Sequence, residues 1–116
     1  MRILDVDRAA PSEAPALTPH LVPGEAVDAA FASATGAVLF TDRRILLVQH
    51  EHLLEARVET ISWPYREVHH FSLQESADGR SGLRIWLGEE PQPLHLRARS
   101  GDDLAALQRL LAGRLG

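Results

Sequence analysis

Two apolar runs lie on either side of a polar pair in Val38-Leu39-Phe40-Thr41-Asp42-Arg43-Arg44-Ile45-Leu46-Leu47-Val48. A two-residue gap between apolar runs is typical of a tight β-hairpin. The pattern therefore predicts strands over residues 37–41 and 44–50, with Asp42 and Arg43 in the turn. In the second run, odd and even positions are apolar alike, and alternate residues of a strand point to opposite faces. We expect this strand to be covered on both faces.

Short β patterns continue on both sides of this hairpin. Upstream, apolar residues alternate over 27–31, and the chain then turns at Thr35-Gly36. Downstream, predicted strands cover 58–63, 68–74, 83–87 and 94–99. The last two alternate cleanly between apolar and polar residues, which is typical of an antiparallel sheet with one face in water. The sequence thus predicts seven short strands.

The final segment changes to a helical pattern. Leu104, Leu107 and Leu111 recur at helical spacing, and Ser100 followed by Asp103 forms a capping-box pattern. These residues predict an amphipathic C-terminal helix. Burial of its leucines would contribute about 1.5–3 kcal/mol each, enough to close one open side of a small β structure.

The beginning of the chain has a different composition. Prolines at 11, 15, 19 and 23 stand among Ala, Ser and Thr, and they exclude a continuous helix or an interior strand there. We therefore divide the chain into a Pro/Ala-rich arm over residues 1–20 and one folded domain over residues 21–116.

Composition limits the classes of function. The 116 residues carry 12 Arg, no Lys and 16 acidic residues, so the formal charge is −4, which disfavours a general nucleic-acid surface. Cys is absent, in keeping with a reducing compartment. No apolar run approaches the roughly 18–20 residues of a membrane span, and the N-terminus lacks the apolar core of a secretory signal. We expect a cytoplasmic protein without a transmembrane helix, and these features disfavour a membrane partner.

The order of seven strands and one helix resembles a pleckstrin-homology (PH)-like barrel. The segment 38–48 resembles a hydrophobic, Phe-Thr, basic and aliphatic pattern of the bacterial PH domain family. Ile61-Ser62-Trp63-Pro64-Tyr65-Arg66-Glu67-Val68 resembles a second segment of that family, and the 21-residue step from Thr41 to Ser62 matches it as well. The resemblance implies a mainly β fold, a bent seven-stranded antiparallel sheet or barrel capped by the C-terminal α-helix, and homo-oligomeric rings.

The residues do not support a phosphoinositide site, a metal site or a catalytic site. Eukaryotic relatives bind phosphoinositides with cations near the first hairpin, but residues 32–37 contain none. His50 and His52 lie two apart, and two ligands do not make a metal site. No nucleophile elbow and no Gly-rich phosphate loop occurs. We predict a protein that is not an enzyme and has no cofactor or metal.

Apolar residues left over after the core is assigned suggest an interaction module. Ile61, Trp63, Tyr65 and Trp86 are the candidate interface, because Trp and Tyr are enriched at binding anchors. The first hypothesis is a module that assembles with itself and binds an unknown protein partner. In the other interpretation of the same residues, Trp63 and Tyr65 pack beneath the N-terminal arm of their own subunit.

The alternative hypothesis uses positive charge. Arg84, Arg97 and Arg99 lie on outward faces of two late strands that are candidates for neighbours. Under this hypothesis the protein is a peripheral binder of an anionic lipid or a small anionic ligand.

Overall fold

The computed structural model describes residues 2–9, 21–51, 57–99 and 101–115. In this part of the chain the elements are β1 (Arg2–Asp5), β2 (Asp7–Ala9), β3 (Val27–Ser33), β4 (Gly36–Thr41), β5 (Arg44–Glu51), β6 (Arg57–Pro64), a 3₁₀ turn (Tyr65–Glu67), β7 (Val68–Glu75), β8 (Ser81–Leu87), β9 (Leu94–Ala98) and α1 (Gly101–Leu115). All seven predicted strands and the C-terminal helix are confirmed. Two short strands precede them that the sequence did not predict.

The strands form two sheets. Sheet A has the order β1-β9-β8-β7, and sheet B has the order β2-β3-β4-β5-β6. Each neighbouring pair is antiparallel except β1 and β9, which are parallel. The predicted mainly β, PH-like architecture is thus confirmed, with the correction that two separate sheets replace a single seven-stranded antiparallel sheet or closed barrel.

Part of the predicted N-terminal arm belongs to the sheets. The chain leaves sheet A after Asp5 and enters sheet B at Asp7, so that Val6 crosses from one sheet to the other. The backbone N–H of Val6 donates to the carbonyl of Arg97 at 2.8 Å, and the Leu4 and Val6 side chains are buried in the core. Residues 10–20, which contain the three prolines of the predicted arm, lie outside the described residues.

The main core lies between the two sheets and α1. Leu104, Leu107 and Leu111 are buried there, as the helical pattern predicts, and α1 packs against β7, β8, β9 and the 3₁₀ turn. Ser100, the predicted cap, lies outside the described residues. At the other end of the helix, Arg114 forms an ion pair with Asp28 of β3, so the helix is tied to sheet B as well.

A second apolar cluster covers the opposite face of sheet B. Its buried members are Ala30, Leu39, Leu46 and Val48, and Leu21 and Val27 pack against them. Strand β5 therefore contributes Ile45 and Leu47 to the main core and its alternate residues to the second cluster. The expectation that this strand is covered on both faces is confirmed.

A buried carboxylate fixes the turn between β4 and β5. Oγ1 of Thr41 accepts the backbone N–H groups of Arg43 and Arg44 at 3.1 and 3.0 Å and donates to Glu25 at 2.6 Å. The Glu25 carboxylate accepts Nε and Nη2 of Arg44, both at 3.0 Å. The Glu25 side chain has no exposed surface, and these hydrogen bonds replace the water that the carboxylate loses.

The same network joins the two segments that carry the family resemblance. Nη1 of Arg44 donates to Ser62 at 2.8 Å, and the hydroxyl of Tyr65 donates to the carbonyl of Thr41 at 2.5 Å. Burial raises the pKa of Tyr65 to about 12, so the hydroxyl keeps its proton at neutral pH. The 21-residue spacing between Thr41 and Ser62 thus has a physical reason in this chain: the β4–β5 turn is hydrogen-bonded to Ser62 and to Tyr65 at the start of the 3₁₀ turn.

A substitution at Gly36 tests the packing of the first hairpin. A Cβ at this position would lie 1.9 Å from the carbonyl oxygen of Val48, so the backbone of β4 or β5 would have to shift. We expect Gly36→Ala to lower the free energy of unfolding by about 3 kcal/mol, measured by chemical denaturation.

Gly113 provides the matched control. It lies in α1, and an added Cβ meets no atom within 4 Å. Since Ala is the better helix former, Gly113→Ala is expected to raise the free energy of unfolding by about 0.5–1 kcal/mol. Equal effects of the two substitutions would show that the close approach at Gly36 is not a constraint.

Candidate interaction surfaces

Strands β6 and β7 form two long edges of the sheets. Each has eight residues, and each pairs with one strand within the described part of the chain. On β6, Val58 is 54% exposed and Ile61 is half-buried against the core. On β7, Phe71 and Leu73 are also half-buried apolar residues. These edges offer backbone hydrogen-bonding groups beside apolar side chains, which suits the addition of another strand.

The structure separates the four residues of the predicted interface. Trp63 and Tyr65 are buried in the core of their own chain, with 8% and 9% of their surface exposed. Ile61 lies on the same face of β6 and is half-buried. Trp86 lies on the other sheet, on the outer face of β8, where its ring stacks on His70 with the ring centroids 4.3 Å apart. The four residues therefore do not form one surface, and Ile61 and Trp86 are the members accessible to a partner.

The orientation of Trp63 and Tyr65 is explained by their neighbours. Trp63 pairs with Ile45 of β5, whose side chain is fully buried, and the hydroxyl of Tyr65 reaches the carbonyl of Thr41. The guanidinium of Arg114 lies 5.9 Å from the centre of the Tyr65 ring, which completes the cover of this side chain. Both aromatic residues stabilise the corner between β6 and α1.

Of the three candidate anion-binding arginines, Arg97 and Arg99 lie at one end of sheet A and line the same groove, whereas Arg84 lies in the middle of β8 and does not line it. Strands β8 and β9 are neighbours, with Arg84 opposite His95 and Arg97 opposite Gly82. Nε and Nη2 of Arg97 donate to both carboxylate oxygens of Asp5 at 2.8 and 3.0 Å. This partner lies on β1, in the segment predicted as an arm, and it neutralises Arg97. Arg99 follows the end of β9 and is exposed.

A polar groove of about 660 Å³ opens beside these strands. Its floor follows the cross-strand row Asp5, Arg97, Gly82 and Gln74, in which the glycine leaves a gap between longer side chains. The imidazole of His95 lies over Gly82, because a Cβ there would be 2.9 Å from its Nε2. Burial, followed by the charges of Arg84 and Arg97, lowers the pKa of His95, so its ring is neutral at pH 7. Gly82 is a sequence feature that could have indicated this groove, since a glycine inside a strand often marks a close approach, but the sequence pattern placed it in the turn before residues 83–87.

The β3–β4 hairpin, where eukaryotic PH domains hold lipid phosphates, is a neutral turn. The backbone N–H of Thr35 donates to Oγ of Ser33, and the Ser33 hydroxyl donates to the carbonyl of Gly36. The backbone carbonyl of Val48 lies directly against Gly36. The polar contacts of this turn are used to reverse the chain, and no cation lies between Ser33 and Gly36.

Metal-binding and membrane-spanning features were sought over the same ranges. Within residues 2–9, 21–51, 57–99 and 101–115, no group of three His, Asp or Glu side chains is placed to hold a metal ion. Helix α1, the helix of this part of the chain, is too short to cross a membrane.

Comparisons with known proteins agree with this geometry. The uncharacterized protein YjqA of Bacillus subtilis (strain 168) is 30% identical over 95 residues, which cover 79% of this chain and 76% of YjqA. A DUF1696 family protein with a pleckstrin-homology domain from Shewanella loihica PV-4 superimposes with a TM-score of 0.77 at 22% identity, covering 94% of this chain and 96% of that one.

A pleckstrin homology domain from Shewanella amazonensis SB2B has a TM-score of 0.71 at 24% identity, covering 93% of this chain and all of its own. These two likenesses to solved structures establish the fold. The sequence model described as Bacterial PH domain matches residues 5–114, which begin inside β1 and end one residue before the end of α1. The match includes β2 and both segments that are joined at Thr41, and the chain therefore belongs to the bacterial PH domain family.

Proposed function

We propose that this bacterial PH domain is a non-enzymatic interaction module that assembles with copies of itself, with β6 of one copy pairing with β7 of the next. The observation that carries the proposal is the edge of sheet B. There the eight-residue strand β6 pairs with one strand within the described residues and carries the exposed Val58 on its outer face and the half-buried Ile61 on its inner face. Long edge strands attract further strands unless they are shortened, charged or covered.

Two different edges favour a head-to-tail arrangement. Strands β6 and β7 have equal length and belong to different sheets, so a contact between them uses two distinct patches of the subunit. Such a heterologous contact leads to a ring if the rotation closes. In the pairing, Ile61 of one copy would gain cover from Phe71 and Leu73 of its neighbour, because all three are partly buried apolar residues on the core side of their sheets.

The outer face of sheet A is then left for a protein partner. Trp86, stacked on His70 and next to Arg84 on the same strand face, combines an aromatic ring with a cation, as binding anchors commonly do. The absence of a nucleophile motif in the sequence supports the non-enzymatic part of the proposal.

The molar mass in solution tests the assembly. Gel filtration with light scattering is expected to give a species of at least three times the 12.8 kDa subunit mass. Adding charge at the edge, in Val58→Lys with Thr60→Lys, is expected to reduce the mass to that of one subunit, because both side chains are exposed and the lysines would have to be buried on pairing.

The control is Ile3→Lys, which also places a charge at an exposed apolar residue but on β1. It is expected to leave the mass unchanged. A monomeric wild-type protein at micromolar concentration would contradict the assembly, and an unchanged mass in the Val58 and Thr60 variant would show that β6 is not the contact.

A further inference from the structure

Two of the arginines that line the groove on sheet A do not face a carboxylate on the neighbouring strand. Ser81 and Ala98 are the outermost pair of the β8–β9 ladder. Arg80 and Arg99 are the next residues beyond this pair on the two segments, and both line the groove. Like charges directly opposite each other across a ladder are unfavourable. An anion bound between Arg80 and Arg99 would replace this repulsion by attraction of both guanidiniums to the anion.

The carboxylates nearby leave both guanidiniums accessible. Arg80 contacts Asp78 at 3.6 Å, with 77% and 61% of the two side chains exposed, which is a weak surface contact. Arg99 forms no ion pair with any residue of the described ranges, whereas Arg97 is held by Asp5. The accessible positive charge of the groove therefore comes from Arg80 and Arg99. Arg97, which is paired with Asp5, forms part of the lining of the groove.

We propose that this groove binds the phosphate group of a small, water-soluble phosphate ester between Arg80 and Arg99. Two guanidiniums offer the paired donors that a phosphate dianion accepts. Gly82 lets the ester approach the backbone. Gln74 and the imidazole of His95 also line the groove, and their polar groups can hydrogen-bond the hydroxyls of a sugar. The volume of about 660 Å³ is in the range of small-molecule sites.

The charges around the groove favour a soluble ester over a lipid headgroup. Asp5 and Asp7 line the groove as well, Asp78 stands beside Arg80, and the chain carries a net charge of −4. An anionic bilayer would be repelled by this rim, while a small ester reaches the arginines without bringing further negative charge against it. The site also lies away from the neutral β3–β4 hairpin, on the other sheet.

Titration followed by NMR of the backbone amides tests the proposal. Glucose 6-phosphate is expected to shift the amides of Arg80, Gly82 and Arg99 and to bind with a submillimolar Kd that weakens as salt is added. Inorganic phosphate is expected to shift the same amides more weakly, and glucose is expected to shift none. The double variant Arg80→Gln with Arg99→Gln is expected to weaken binding by about tenfold or more.

The matched control is Arg109→Gln, since Arg109 is exposed on α1 and does not line the groove. It is expected to bind as the wild type does. The proposal is overturned if the phosphates produce no shifts at these amides, if glucose binds equally well, or if the double variant retains full affinity. Sedimentation with vesicles containing phosphatidylglycerol, in the absence of glucose 6-phosphate binding, would overturn it in favour of a membrane.

Discussion

Replacing Val6 by Asp is expected to lower the free energy of unfolding by about 4 kcal/mol, and thus to leave much of the chain unfolded at moderate temperature. Val6 is 4% exposed and lies where the chain crosses from sheet A to sheet B. The substitution removes apolar contacts with the main core and places a carboxylate in it without a partner. Chemical denaturation followed by tryptophan fluorescence gives the free energy.

The control for this prediction lies three residues earlier. Ile3 is 43% exposed and on the outer face of β1, so Ile3→Asp is expected to change the free energy of unfolding by less than about 0.5 kcal/mol. If the first nine residues were a peripheral arm, Val6→Asp would be as harmless as Ile3→Asp. That result would show that β1 and β2 are not part of the folded unit.

Replacing Glu25 by Gln is expected to lower the free energy of unfolding by about 2 kcal/mol at pH 7, because it removes the acceptor charge that Arg44 and Thr41 share. The hydrogen bonds from Arg44, with smaller contributions from Thr41 and the backbone of Val22, lower the pKa of Glu25 from 4.5 to about 2, against the desolvation that raises it. The folded state therefore binds this proton less readily than the unfolded state.

The pH dependence follows from this difference. The stabilisation by the Glu25 carboxylate is present in full above pH 4.5 and is lost as the pH falls through the pKa of about 2. Denaturation curves at several pH values are expected to show the deficit of Glu25→Gln shrinking over this window. Glu75→Gln, at an exposed position of β7, is the control, and a deficit independent of pH would contradict the proposed role of the charge.

Most of the fold could be predicted from the sequence because apolar residues recur at every second position of the longer strands. The strands on either side of Asp42 and Arg43 have enough alternating residues to be recognised, and the leucines of α1 have helical spacing. β1 and β2 have four and three residues, too few for a periodic signal. Their pairing also depends on contacts across the whole chain, such as that of Asp5 with Arg97, which no local pattern contains.

The candidate surfaces were less predictable than the strands. On β6 the inner face changes from the charged Glu59 to the apolar Ile61 and Trp63, so alternation alone did not decide which end of this face is buried. The pairing of Trp63 with Ile45 decides it. The sequence identified Arg97 and Arg99 as neighbours on an outer face, but the neutralisation of Arg97 and the contribution of Arg80 emerged from the packing of three strands and the β7–β8 turn.

The distribution of charges over the fold restricts the classes of partner more than the net charge alone does. The value of −4 disfavours broad anionic partners such as nucleic acid, and the neutral β3–β4 hairpin removes the usual lipid site of PH domains. Three arginines, Arg80, Arg97 and Arg99, line one groove of sheet A. We propose the edges of β6 and β7 for contacts between copies and the outer face of sheet A at Trp86 for another protein.

Amide hydrogen exchange, measured by mass spectrometry well above and well below the concentration at which the protein assembles, tests the edge pairing most directly. The proposed contact predicts slower exchange in β6 and β7 at high concentration, with exchange in β1 unchanged, because only the first two gain hydrogen-bond partners. Equal exchange at both concentrations, or protection confined to β1, would contradict assembly through these two edges.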